Sequence, residues 1–280
     1  MRLDAHQHFW QLRRYDYPWM VPSLTALRRH FGPADLQPLL QKHRFDGSIL
    51  VQTISSLDET KWFLELARQH PFLLGVVGWV DLKDPHLGGA LDDLLAQPGL
   101  VGLRHQVHDE PDVNWLLRAD VQRGLAELMK RKLPFDLLIR PAHLSVSREV
   151  ARKLPDLPLV VDHIAKPLVA AGGWDDWADG LAELARCPNV WCKLSGMIIE
   201  ADWENWQPAS LKPYVDHVLT VFGPERVMFG SDWPVCLFLA GSYAQAVEAA
   251  EVNTAHLTAA KQAAFWGGNG ARFYRLSVNH

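Results

Sequence analysis

The chain reads as an α/β protein of the (β/α)8 TIM-barrel class. Three observations carry that reading: its length, the alternation of strand-like with helix-like stretches, and reactive side chains gathered where strands end. It has 280 residues, where roughly 250 are typical of such a barrel. Hydrophobic residues make up 48% and charged residues 21%, which supplies a large core and excludes a disordered chain.

Eight short apolar, β-branched runs read as strands: Arg2–His8, Asp46–Gln52, Leu73–Val80, Leu100–Val107, Phe135–Arg140, Leu159–His163, Val190–Ser195 and Val227–Asp232. Helical patterns stand between them over Glu59–Gln69, His86–Leu95, Arg118–Lys130, Val146–Lys153, Asp175–Ala185, Leu211–Phe222 and Gly241–Ala250. Such alternation predicts a parallel sheet, and right-handed crossovers close eight strands into a barrel. A doubly wound sheet is the rival, weakened because no Gly-x-Gly-x-x-Gly follows the first strand. Two long stretches break the rhythm, Trp10 to Pro38 after strand one and Lys166 to Trp174 after strand six. Both leave carboxyl ends of strands, the face on which barrels carry chemistry, and are read as lids. No linker divides the chain, so residues 1–280 are taken as one domain.

A net charge of −4 and a pI near 6.3 give no electrostatic case for nucleic acid or an anionic membrane. No apolar stretch approaches the ~20 residues that span a bilayer. Met1 leads straight into Arg-Leu-Asp-Ala-His without a basic-then-apolar leader, so a soluble cytoplasmic protein is expected. Cys187, Cys192 and Cys236 are odd in number and read as reduced thiols. Nothing in the residues requires or excludes a homo-oligomer.

The candidate chemistry lies at strand ends. His6 and His8 close strand one, and alternation aims both the same way with Asp4 two residues below. Asp232 ends strand eight, the neighbour of strand one in a closed barrel, and Gly230 one inward step below it leaves room in the mouth. Asp162 and His163 end strand six on opposite faces by the same alternation, with Lys166 just beyond. Arg104 and His105 end strand four. Lys193 shares a face with Ser195 on strand seven, where an ion pair across the barrel is at least as good a reading as catalysis. His6, His8 and Asp232 could also hold one divalent ion, with His163 as an extra ligand. Of the twelve tryptophans, Trp10 and Trp19 of the first loop, with Tyr17, could pack on a ring-shaped ligand.

Together these segments resemble the amidohydrolase superfamily and its sugar-lactonase branch, which holds L-fuconolactonase-like, L-rhamnono-lactonase-like and 2-pyrone-4,6-dicarboxylate lactonase-like enzymes. The matching text is Leu3–Trp10, Tyr17–Trp19, Gly102–His105, Asp162–Pro167, Lys193–Gly196, Phe229–Pro234 and the closing Gly267–Tyr274. The resemblance runs nearly the whole chain in order. It implies an amidohydrolase-like barrel, a sugar lactone as small-molecule partner, and a place in sugar-acid catabolism. Members with two ions add a carbamylated lysine or glutamate on strand four and histidines on strands five and six. Strand four here offers Arg104 and His105, and Phe135–Arg140 offers neither group, so a binuclear centre is not expected. The resemblance implies no required metal and leaves a single zinc as an option.

The expected reaction is lactone hydrolysis. Asp232 is the general base for water, and His6, His8, His163 or Lys166 donate to the carbonyl oxygen or the leaving group. Arg104, Trp10 and Trp19 position the ring. Two rivals stand beside it: a mononuclear metal-dependent amidohydrolase or decarboxylase, and a non-catalytic sugar-acid binder.

Overall fold

The computed structural model describes residues 1–169, 172–200, 206–238 and 241–276. Eight strands follow in order around one parallel sheet: β1 (Leu3–Gln7), β2 (Gly47–Val51), β3 (Leu73–Gly78), β4 (Leu100–His105), β5 (Phe135–Leu137), β6 (Leu159–Val161), β7 (Val190–Leu194) and β8 (Val227–Phe229). The ends meet where the His8 amide donates to the Trp233 carbonyl at 2.7 Å and the Asp232 amide to the His6 carbonyl at 2.9 Å. That seam closes the barrel and sets the end of β1 against the segment after β8.

Among the described residues eight helices of nine residues or more wrap the outside: α1 (Pro33–Lys42), α2 (Leu57–Gln69), α3 (Leu87–Leu95), α4 (Ala119–Lys130), α5 (Leu144–Lys153), α6 (Asp175–Ala185), α7 (Lys212–Phe222) and α8 (Tyr243–Thr254). Seven match expected helices within a few residues. The first, α1, falls in the stretch read as a long loop, whose Pro33 and Pro38 look like breakers. Pro33 occupies the first turn, where a missing N–H costs nothing, and the Asp35 carboxylate accepts from the Gly32 amide at 3.0 Å. The loop proper therefore ends near residue 32. In the second long loop, residues 170–171 lie outside the described residues.

Inside the barrel the lower half is apolar. Leu3, Ala5, Ile49, Val51, Val77, Val160 and Met228 pack there, and Phe273 and Tyr274 from the C-terminal segment plug the bottom. Above them the inward positions turn polar: Asp136, Asp162, Lys193, Arg104 and His6 are all buried.

Strict alternation would not bring both histidines of β1 inward. Leu3 and Ala5 face the interior, so His6 should face out. The pairing with β2 shifts instead, from Leu3↔Gly47 and Asp4↔Ser48 to Gln7↔Leu50, so β1 carries one extra residue. This bulge reverses the phase and turns His6 and His8 inward, the re-aiming that bulges bring about near sites. Asp4 stays on the outer face, where it accepts from the Tyr243 hydroxyl of α8 at 3.0 Å and the Ser231 amide at 2.9 Å. The expected stacking of Asp4 beneath the two histidines is thereby corrected. A similar shift between β3 and β4, from Val76↔Leu100 to Val77↔Gly102, turns Arg104 inward and His105 outward.

Candidate active site

At the carboxyl ends of the strands lies a cavity of about 230 Å³ lined by His8, Trp19, Thr53, Arg104, Gln106, His108, Asp109, Leu138, His163, Lys166, Asp232 and Val235. Of the predicted trio His8 and Asp232 line it, and His6 lies fully buried directly against them. The His8 Nδ1–H donates to the Val51 carbonyl at 2.7 Å, which leaves the Nε2 lone pair facing the site. That nitrogen lies 3.1 Å from His6 Nε2 and 3.3 Å from Asp232 Oδ1. His6 places Nδ1 at 3.3 Å from Asp162 Oδ1 and its Nε2 at 3.7 Å from Asp232 Oδ1. Gly230 makes this possible, because a Cβ there would stand 2.5 Å from that of His6. The room expected below Asp232 is taken by the His6 side chain.

His163 completes the floor, with Nδ1 2.9 Å from Ser195 Oγ and Nε2 4.0 Å from Asp232 Oδ1. Asp162 and His163 do not fall on opposite faces. β6 stops at Val161, and His163 (φ 52°) begins a run of left-handed residues through Lys166. That turn folds both side chains inward, and backbone strain of this kind clusters at functional sites.

Burial pulls the titration of His6, His8 and His163 below the ordinary imidazole value, so all three are neutral near pH 7. Burial acts to raise the Asp232 carboxyl, but His163, His8 and Lys166 outweigh it and hold the group below the ordinary value. The floor is thus an anionic carboxylate among neutral imidazoles.

Beneath the floor the ionic groups satisfy one another. The Lys193 ammonium lies 2.5 Å from Asp136 Oδ2 and 3.1 Å from Asp162 Oδ1. Arg104 Nη1 donates to Asp162 Oδ2 at 3.0 Å, and its Nε to Gln52 Oε1 at 3.1 Å. The Tyr274 hydroxyl donates to Asp136 Oδ2 at 2.8 Å. For Lys193 the ion-pair reading is what the geometry shows. Arg104 does reach the cavity, but its guanidinium is held by Asp162 and Gln52.

Of the aromatic candidates, Trp19 lines the cavity and Trp10 does not. Trp10 is fully buried and donates its indole N–H to the Leu27 and Arg29 carbonyls, so it staples the first loop instead of meeting a ligand. Tyr17 is likewise buried, its hydroxyl accepting from the Gln11 amide at 3.0 Å. His105 stacks on Trp115 with ring centroids 4.1 Å apart, outside the barrel. Thr53, Gln106, His108 and Asp109 on the cavity wall escaped the sequence reading. They sit on the connections after β2 and β4, whose residues carry no motif, and only their place just past a strand end could have drawn notice. Glu59 also escaped it. From α2 it accepts the Thr53 hydroxyl and the Thr53 amide, the latter at 2.8 Å, and burial pushes it up to about 7.

Ring nitrogens of His8 and His6 and the Asp232 carboxylate converge within 4.8 Å. Two imidazole nitrogens and one carboxylate oxygen suit a single zinc, with Arg104 Nη1 standing 3.3 Å from His6 Nε2 beside them. A second grouping of His6, Asp162 and His163 suits an ion less well, because Lys193 and Arg104 already engage Asp162.

The family model described as Amidohydrolase matches residues 3–276. An L-fucono-1,5-lactonase of Burkholderia multivorans is 40% identical, covering 99% of this chain and 96% of its own. An L-fucono-1,5-lactonase of Burkholderia ambifaria is 36% identical, covering 98% and 96%. A crystal structure of an amidohydrolase from Burkholderia multivorans, described with bound zinc, superposes with a TM-score of 0.94 at 38% identity, covering 99% of this chain and all of the other.

Proposed function

This chain belongs to the amidohydrolase family, and we propose that it opens a sugar-acid lactone of the L-fucono-1,5-lactone type to the free acid. The observation that carries the reading is the anionic Asp232 carboxylate, buried on the cavity floor beside His6, His8 and His163. The 36–40% identity to two L-fucono-1,5-lactonases supports the substrate class.

Asp232 takes a proton from water as the water oxygen bonds to the lactone carbonyl carbon. With His8 Nε2 unprotonated, the donors left to face the carbonyl oxygen are the His163 imidazole and Lys166, which stabilise the charge that gathers on it. As the bond from that carbon to the ring oxygen breaks, Asp232 returns the proton to the ring oxygen, and the hydroxy acid leaves. A carboxylate with a low pKa is a weak base, but an ester-level carbonyl does not need a strong one. Arg104 acts mainly by fixing Asp162 and His6, and Trp19 covers the ring. With Arg104 committed to Asp162 and Gln52, and Asp109 on the wall, the cavity favours a neutral polyhydroxy lactone over a dicarboxylate.

His6, His8 and Asp232 are the residues that would hold a zinc ion, which when bound acidifies water and polarises a carbonyl. The reactivity of a lactone does not demand that help, so turnover is expected to persist after exhaustive chelation. One equivalent of added zinc should bind wild type and fail to bind His8→Gln. Among the described residues no helix is long and apolar enough to cross a membrane. We place the enzyme in cytoplasmic sugar-acid breakdown with the lactone as its partner and no nucleic acid. A pH-indicator assay over aldono-1,5- and aldono-1,4-lactones tests the reading. Fastest turnover is expected on the L-fucono-1,5 compound, and a panel without turnover overturns it.

A further inference from the structure

We propose that Ser195 is a positioning residue that holds His163 in the tautomer protonated on Nε2, making that imidazole a fixed hydrogen-bond donor at the barrel mouth. The inference rests on the lactonase reading, because it says how one of the donors named there is set.

Ser195 follows β7 on the inward face and is 3% exposed. Its Oγ stands 2.9 Å from His163 Nδ1. A neutral imidazole carries one N–H and one lone pair, and a hydroxyl can donate or accept. Two arrangements therefore fit the distance. If Nδ1–H donated to Oγ, the hydroxyl proton would need a second acceptor, and among the described residues no partner but His163 bonds Ser195 Oγ. A donor shut away without a partner is costly; His163 lines the cavity and Ser195 does not, so the hydroxyl donates to Nδ1 and the ring proton resides on Nε2, where the cavity can receive it.

The surroundings hold the ring in that pose. Gly196, at φ +60°, lies so close that a Cβ would stand 2.5 Å from His163 Nδ1. His163 is itself in the left-handed region at φ 52°, which fixes where its side chain leaves the backbone. The Nε2–H then points toward Asp232 Oδ1 at 4.0 Å, too long for a hydrogen bond between them. The N–H is left for an oxygen entering the cavity. His163 donates a hydrogen bond to the lactone carbonyl and keeps its proton throughout. The transferred proton passes from water to Asp232 and from Asp232 to the ring oxygen, so the balance closes without an imidazolate.

Nitrogen-15 NMR of the histidine rings in the chelator-treated protein tests this, with His163 assigned by the signal lost in His163→Gln. Wild type should show His163 with Nδ1 unprotonated and Nε2 protonated, and the reverse tautomer overturns the proposal. In Ser195→Ala the two tautomers should mix, with kcat about five-fold lower and KM within two-fold, the effect of one hydrogen bond. A His163 tautomer unchanged in Ser195→Ala also overturns it. Should that variant fail to fold, the wild-type spectrum decides alone. Retained turnover in Asp232→Asn would remove the base assignment and leave the tautomer result standing, so the two readings fail separately.

Discussion

Two layers of buried polar groups lie one above the other inside this barrel, and they differ in how fully their interactions are closed. In the lower layer Asp136, Asp162, Lys193, Arg104 and Tyr274 meet at 2.5–3.1 Å. In the upper layer Asp232 stands 3.3, 3.7 and 4.0 Å from three imidazole nitrogens. Burial opposes ionisation of carboxylates in both layers. Lys193, His6 and Arg104 overcome it at Asp162, which titrates well below the ordinary range. Asp136 is pushed up to about 6 by burial despite Lys193. Groups that satisfy each other hold the scaffold, and groups left slightly apart keep capacity for a water and a substrate.

The largest effect expected from breaking that contrast is on chemistry. Asp232→Asn should lower kcat about 10³-fold, the scale of lost general-base catalysis, while the denaturation midpoint barely moves. An equal loss of stability would mean that the upper layer is scaffold as well. Next comes Lys193→Met, which leaves Asp136 and Asp162 without their ammonium. It should cost about 3–5 kcal/mol in urea denaturation, and adding Asp136→Asn should recover part of the loss. A double variant no more stable than the single one would deny the coupling.

A third test follows from Glu59, raised to about 7 in the folded protein against 4.5 for the free group. The folded state binds the extra proton, so the contribution is full below about 4.5 and is lost as pH rises through about 7. Wild type should therefore lose on the order of 3 kcal/mol relative to Glu59→Gln over that window. Parallel stability curves would deny the shift. The smallest effects separate two tryptophans. Trp10→Phe should cost about 1–2 kcal/mol of stability with KM unchanged. Trp19→Phe should raise KM roughly three- to ten-fold with stability kept. The opposite pattern would exchange their places in scaffold and cavity.

Much of the barrel was legible in the chain because local rules write it. Alternating runs mark strands and helices, and a closed eight-stranded order must set the end of strand one beside the end of strand eight. His6, His8 and Asp232 could be grouped on that ground alone. α1 was hidden by prolines whose tolerance depends on position in the first turn. The roles of Trp10 and Trp19, close in sequence and alike in type, could not be separated, since only packing decides which indole meets a carbonyl and which meets a cavity.

The sequence by itself determined the fold class, the strand ends that carry chemistry and the residue types available there. Which way those residues point was decided by the tertiary structure. A one-residue bulge in β1 turns His6 inward, and a left-handed run after β6 brings Asp162 and His163 to the same side. Both depend on register and backbone angles set by neighbouring strands, and a period-two reading of a single strand does not contain them.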